Sequence, residues 1–339
     1  MIAGFHAQAI QAMEGSELVA VFARRQEAAD ALGKELGCKG FSDEEAFFKE
    51  SGIEIVTIAT PSGAHLEPAQ KAAEAGVHII CEKPLEVSLE RVDQMIEVAD
   101  RNGVTLAGIF NRRFNPATRA LKSAVENNRF GNIAIAGASI RWWRDPEYYS
   151  ESNWKGTWRW DGGGALKNQG IHAIDLLLYL AGPVTRVSAS TTRVTHKGIE
   201  VEDTAVAALE FANGARGIIE GSTACWSENG NPAEVYINGN NGSVVLSDDK
   251  FRQWSFREAD PGDEQLLKDY LIDPRVAAMG ANDPAAINSD GHRDNFQDVV
   301  NAIEEKRTPS VDGLEARKAI ALIAAIYESA KNNGQPITL

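Results

Sequence analysis

Cysteine is scarce in this chain: Cys38, Cys81 and Cys225 are the three, and they lie far apart. They show no metal-ligand spacing, and three is an awkward number for a disulfide framework, so they read as reduced thiols of a cytoplasmic protein. Basic charge is also short. Against 34 Lys plus Arg stand 48 Asp plus Glu, a net charge of −14, which argues against nucleic acid or an anionic membrane as the main partner. Long apolar runs are missing too; the most apolar helical stretch, Ala319 to Tyr327, is far too short to cross a bilayer. No signal peptide stands in the sequence. It opens instead on Met1-Ile2-Ala3-Gly4-Phe5-His6-Ala7-Gln8-Ala9-Ile10, which reads as a helix start. In an α/β fold such a helix follows a strand and a glycine turn, and both are then expected upstream of residue 1.

The 339 residues suit two domains. Up to about residue 110, short apolar runs alternate with helical patterns. Strands are expected at 18–22, 53–59, 77–81 and 104–110, and helices at 26–36, 65–75 and 88–102. This rhythm predicts a Rossmann-type α/β domain over 1–114, a doubly wound parallel sheet buried on both faces. Ligands of such sheets sit beyond the carboxyl ends of the strands, where Thr60, Pro61, Lys83 and Asn111 fall. From 115 to 339 the pattern becomes α+β. Helices at 116–127 and 165–180 bracket a Trp/Arg-rich strand at 133–144, and further strands follow at 184–195, 202–212, 215–225, 233–238 and 243–246. Asn213-Gly214 and Asn240-Asn241-Gly242 suit hairpin turns, so the second sheet should be largely antiparallel. Strand 204–211 is apolar or small on both faces, and subunit association is the simplest cover for the second one. Helices at 292–305 and 313–332 close the chain.

Two segments carry chemistry. Ile79-Ile80-Cys81-Glu82-Lys83-Pro84 sets a lysine at the end of an apolar strand, and the following proline keeps Lys83 extended. An ammonium there is awkward as packing, although a snorkelling surface lysine would also fit. Gly162-Gly163-Gly164-Ala165-Leu166-Lys167-Asn168-Gln169-Gly170-Ile171-His172-Ala173-Ile174-Asp175 opens a helix from a glycine turn. On α-helical spacing Asn168 and His172 share a face, with Asp175 near His172 at i+3. Histidine can take a hydroxyl proton as hydride leaves; Asp175 either fixes its tautomer or bonds nearby backbone. After the strand 18–22 no acid is found where a ribose partner would stand; Arg24 and Arg25 are there, and arginine suits a 2′-phosphate, favouring NADP over NAD. Trp142, Trp143, Arg144, Tyr148, Tyr149, Trp154, Trp158, Arg159 and Trp160 crowd together, which suits a sugar or an anionic substrate and equally a packed sheet edge.

In this order the motifs resemble the glucose–fructose oxidoreductase / inositol dehydrogenase / MocA family of NAD(P)-dependent oxidoreductases. The similarity takes in Ala3-Gly4-Phe5-His6, Thr60-Pro61 with His65, Glu82-Lys83-Pro84, the 162–175 segment and Gly313-Leu314-Glu315-Ala316. It implies a Rossmann domain followed by an open-faced sheet domain, assembly as homodimers or homotetramers, and reversible oxidation of a secondary alcohol on a sugar, nucleotide-sugar, cyclitol or related polyol. By carry-over Lys83 binds the reacting hydroxyl and His172 handles its proton, with Asn168 beside them. Cofactor contacts are then expected from Ala3, Gly4, Arg24, Arg25, Thr60, Pro61, His65, Glu82, Lys83 and Asn111. Substrate contacts are expected from Arg113, Trp142, Tyr149, Trp158, Lys167, Asn168 and His172, and no metal is expected. Two departures matter: the glycines of the phosphate-binding turn are not in the sequence, and Asn168 stands where the family usually has Asp. Two other functions therefore stay open. One is a non-catalytic sugar-binding or regulatory protein. The other is an enzyme that holds its cofactor tightly and performs transhydrogenation or glycosidic cleavage.

Overall fold

The computed structural model describes residues 2–272 and 290–339, so Met1 lies outside the described residues. These residues form two compact units. One draws on residues 2–86, 90–111 and 290–316, the other on 87–89, 112–272 and 317–339. A single domain cut after residue 114 leaves the return of the Asp290–Glu304 helix to the first unit unaccounted for. The reason is packing: Phe296 and Val299 of that helix are buried with Ile80, Ala107 and Ile109.

In the first unit every strand pairing is parallel. Strand β1 (Ala20–Phe22) pairs with β2 (Lys39–Phe41), and a separate ladder runs β3 (Ile55–Ile58), β4 (His78–Cys81), β5 (Leu106–Gly108). The architecture is Rossmann-like, with the strands in two ladders and not one continuous sheet. The expected helices are found at Gln26–Leu36, Leu66–Glu74 and Leu89–Asn102, and Ile2–Gln11 is helical. Strand β2 and the helix Glu44–Glu50 were not anticipated; Asp43 caps that helix by accepting the Ala46 N–H at 2.7 Å.

The second unit is built on eight strands in the order β12-β11-β10-β6-β9-β8-β7-β13. They are β6 (Ile133–Arg141), β7 (Val184–Thr192), β8 (Thr204–Phe211), β9 (Arg216–Ser222), β10 (Ala233–Gly239), β11 (Gly242–Ser247), β12 (Lys250–Phe256) and β13 (Ile337–Thr338). Neighbours are antiparallel except β6 and β9. Helix Ile171–Ala181 is buried along Ile171, Ile174, Leu177 and Leu180. The sheet has an uneven pair of faces: on β8, Ala205, Ala207, Leu209 and Phe211 are buried, while Val206 is 50% exposed. Ala208, Ile218, Gly137 and Tyr236 form one cross-strand row on the open face, and Ile218 is 49% exposed. Gly137 is favoured there because a Cβ would stand 2.6 Å from the Ile218 carbonyl oxygen, besides meeting the Tyr236 hydroxyl.

One expected helix is altered. Residues 165–180 do not form a single α-helix: Ala165–Gln169 is a π-helical turn, and the α-helix starts at Ile171. The Gly170 N–H reaches back five residues to the Ala165 carbonyl at 2.9 Å, and glycine permits it because a Cβ would press on that same carbonyl at 3.0 Å. The α-helical spacing used to place Asn168 and His172 on one face therefore does not apply across this turn.

Candidate functional site

Within the first unit, Glu82-Lys83-Pro84 follows the buried end of β4, and Cys81 stands opposite Gly108 of β5. Lys83 is half-buried, and its peptide bond to Pro84 is cis. Glu82 is buried beneath it. One of its oxygens, Oε1, lies 2.9 Å from His6 Nε2 and 3.6 Å from His292 Nε2; the other accepts the Lys83 N–H at 3.0 Å. Burial alone would push this carboxyl up. The nearby His292 imidazole and the hydrogen bond from His6, with the charges of His6 and Lys83, outweigh burial and hold it well below the usual carboxylate range. Behind the rings, Thr57 Oγ1 sits 2.7 Å from His6 Nδ1 and Asn111 Nδ2 sits 3.3 Å from His292 Nδ1. With the Asn111 amide in this orientation its nitrogen only donates, and a neutral His292 would carry its proton on Nε2, facing Glu82. Two imidazoles and a carboxylate within 4.8 Å are also a donor set for a divalent ion, but an ion needs that Nε2 unprotonated.

The other cofactor candidates fall into two groups. His65, 1% exposed, is occupied as a tie: Nε2 meets the Thr60 carbonyl at 2.8 Å, and Nδ1 meets those of Pro84 and Leu85 at 3.0 and 3.1 Å. It joins the loop after β3 to the loop after β4. Glu86, fully buried, accepts the His65 and Leu66 N–H groups at 3.3 Å and Arg91 at 2.9 Å, fixing the same corner. Thr60 is exposed and Pro61 half-buried beyond β3; Ala3 is exposed and Gly4 half-buried on the first helix; Arg24 and Arg25 are exposed just after β1. A nicotinamide dinucleotide fits this edge in kind: an open rim after parallel strands, an ammonium, and two guanidiniums with no acid between them.

In the second unit the glycine segment is clamped from inside. Glu202, 4% exposed, accepts the Gly164 and Leu166 N–H groups at 3.0 and 2.9 Å and the Tyr327 hydroxyl at 2.9 Å. At Gly164 a Cβ would stand 1.9 Å from the Glu202 carbonyl oxygen. His172 is half-buried near the start of its helix. Asn168 donates to Asp161, accepts from Gln169 at 3.0 Å, and is half-buried.

Several expected substrate residues are committed elsewhere. Arg113 grips both oxygens of Asp175, Nε to Oδ2 at 2.8 Å and Nη2 to Oδ1 at 2.6 Å, with both residues at most 5% exposed. The planar guanidinium matches a carboxylate in bidentate fashion, so Asp175 is drawn to Arg113. Lys167, 3% exposed, donates to the Val87 carbonyl at 2.7 Å. Tyr149 is buried against Ile199 and Val201, its hydroxyl 3.0 Å from Thr223 Oγ1; burial pushes its pKa up to about 12. Trp158 is 47% exposed and packs edge-on against Tyr327. Trp142 keeps a buried indole N–H with no hydrogen-bond partner among the described residues. The residues missed by sequence reasoning are Asp161 and Gln169, which flank Asn168 through hydrogen bonds.

Known proteins share this design. Residues 1–110 match the description "Oxidoreductase family, NAD-binding Rossmann fold" and residues 118–245 match "GFO/IDH/MocA C-terminal domain". The chain is 28% identical to the D-xylose 1-dehydrogenase (NADP(+)) 2 of Haloferax volcanii, covering 95% of this chain and 92% of that one. It is 26% identical to the inositol 2-dehydrogenase of Rhizobium meliloti over 97% and 94% of the two chains. The crystal structure of the WlbA dehydrogenase from Bordetella pertussis, in complex with NADH and UDP-GlcNAcA, superposes with a TM-score of 0.88 at 32% identity, covering 100% of this chain and 95% of that one.

Proposed function

Since the chain belongs to the Gfo/Idh/MocA family of NAD(P)-dependent oxidoreductases, we propose that it oxidises a secondary alcohol of a sugar, nucleotide-sugar, cyclitol or polyol, with Lys83 and His172 handling the hydroxyl. The observation that carries this is the placing of Lys83 at the carboxyl end of β4, its backbone N–H bonded to a Glu82 carboxylate that His6 and His292 hold ionised. Bound nicotinamide would accept the hydride from the carbinol carbon. The Lys83 ammonium binds the hydroxyl oxygen and stabilises the charge that builds on it, His172 takes the O–H proton, and Asn168 hydrogen-bonds the hydroxyl. Atoms balance as alcohol plus NAD(P)⁺ giving ketone, NAD(P)H and one proton. Thr60, Pro61 and Asn111 would line the cofactor edge with Ala3 and Gly4. Arg24 and Arg25 favour the 2′-phosphate of NADP. Trp142, with its indole donor, and the exposed Trp158 are suited to a sugar ring; His65, Arg113, Tyr149 and Lys167 support the site by holding its framework. The likeness to a UDP-GlcNAcA-bound dehydrogenase makes nucleotide-linked sugars the first substrates to try.

The test is a screen of UDP-linked sugars, free sugars and inositols with NADP⁺ and NAD⁺, following absorbance of the reduced cofactor. Lys83→Met and His172→Ala should each lower kcat by about 10²–10⁴-fold, the usual worth of a positioned proton-handling group. Undiminished turnover in either variant would remove that residue from the reaction. Turnover with no substrate and neither nicotinamide, despite cofactor binding, would favour a sugar-binding role.

A further inference from the structure

Asn168 stands in a chain of side chains whose polarity is fixed at both ends. Arg144 is 9% exposed and gives its Nε and Nη2 to Gln169 Oε1 at 3.0 and 2.7 Å. Gln169 Nε2 donates to Asn168 Oδ1 at 3.0 Å and to the Tyr148 hydroxyl at 2.8 Å. Asn168 Nδ2 donates to Asp161 Oδ1. Asp161, 1% exposed, takes the Gly156 N–H on its other oxygen at 2.8 Å. A guanidinium can only donate and a carboxylate can only accept. Two primary amides are thus threaded between opposite charges, and neither can turn over without setting donor against donor or acceptor against acceptor.

We infer that Arg144 and Asp161 are positioning residues that fix which end of the Asn168 amide faces the substrate hydroxyl. This rests on the proposed role of Asn168 in the reaction. Asp161 is not accounted for as packing alone. Burial raises the pKa values of Tyr148, Tyr149 and Tyr327, and the negative charge of Asp161 adds to the rise in all three, so its charge is felt throughout the cluster. Hydrogen bonds in such a chain also polarise one another, so a carboxylate at the end changes Asn168 and not just its neighbour. With Asn at 161 in place of Asp, the Gly156 N–H can still be satisfied by the new amide oxygen. The new NH2 group would then face the Asn168 NH2 group, and relieving that clash by turning Asn168 only passes it to Gln169 and finally to Arg144.

The experiment compares Asp161→Asn, Asn168→Asp and the exchange D161N/N168D in the full chain. The exchange rebuilds the bonds with the carboxylate at 168, accepting from both residue 161 and Gln169. Asp161→Asn should lower kcat by about 10–100-fold, the loss expected when a group that holds the substrate oxygen is misplaced, with the Kd for NADPH changed less than about 2-fold. The exchange should recover most of that loss, which a merely structural Asp161 would not produce. Should Asp161→Asn fail to fold, Gln169→Met cuts the chain at its middle and is read the same way. A parent-like kcat in Asp161→Asn, or an exchange variant that is folded yet no better than the poorer single variant, overturns the inference. A second readout is independent of turnover. In protein labelled with ¹⁵N at asparagine and glutamine side chains, the Asn168 NH2 resonance should lie downfield from its bond to a carboxylate and move upfield in Asp161→Asn. If the parent turns over nothing yet this shift is seen, the activity assignment fails and the chain stands; if the resonance does not move, the chain itself is refuted.

Discussion

Arg113 illustrates how a residue type suited to binding an anion becomes structural once its neighbours are in place. Its guanidinium and the Asp175 carboxylate are buried together. Removing one partner from such a pair strands the other charge, at a cost of about 3–5 kcal/mol. Arg113→Met should therefore lower stability by roughly that amount, read as a drop in the urea midpoint, whereas Arg113→Met with Asp175→Leu should recover much of it. The position of Lys83 just beyond β4 was legible in the sequence, because the apolar run and the following proline mark where that strand ends. Asp161 was not: an Asp ahead of three glycines looks like an ordinary turn residue, and only its hydrogen bond to Asn168 distinguishes it. The pairing of Arg113 with Asp175 was not legible because they lie 62 positions apart in sequence, with nothing local to pair them.

Elements were read well where hydrophobic rhythm sets them and poorly where single backbone contacts do. The parallel strands β3 to β5, the antiparallel run β7 to β9 and the β10–β11 hairpin follow their alternation and turn signals. The π turn at Ala165–Gln169 does not, because the change depends on backbone contacts at Gly164 and Gly170 that side-chain pattern does not reveal. Edge strand β12 was overlooked beneath its charged residues, although Phe251 is fully buried. The helix Asp263–Tyr270 has no buried residue and is tethered by its first side chain. Asp263 accepts from Arg129 at 2.8 and 2.6 Å and from Trp254 Nε1 at 2.8 Å. The hydrogen bond from Arg129, against the opposing effect of burial, holds its pKa down at about 2. A depressed carboxyl stabilises the docked form above the unfolded value of about 3.9, and that contribution is lost as pH falls through the folded value. Trp254 fluorescence should stay constant down to about pH 4 and change between about pH 4 and 2; in Arg129→Met the change should begin at higher pH.

At the scale of the whole molecule, the eight-stranded sheet offers an open face that bears Ile135, Val206 and Ile218, each about half exposed. We propose, as the apolar strand composition suggested, that a second copy of the chain covers it. Ile218→Asp sets a charge at the centre of that row and should shift the protein to a smaller species in light scattering, with the fold kept by circular dichroism. Unchanged mass would move the contact elsewhere. The first unit carries a different consequence. Glu82 meets His6 from near one terminus and His292 from near the other, and Asn295 accepts the Phe110 N–H at 3.0 Å. Truncation near residue 111 would therefore amputate the nucleotide-binding half as surely as the other. No single cut can yield an autonomous fragment, and attempts to swap this module between homologues must graft two stretches of gene together.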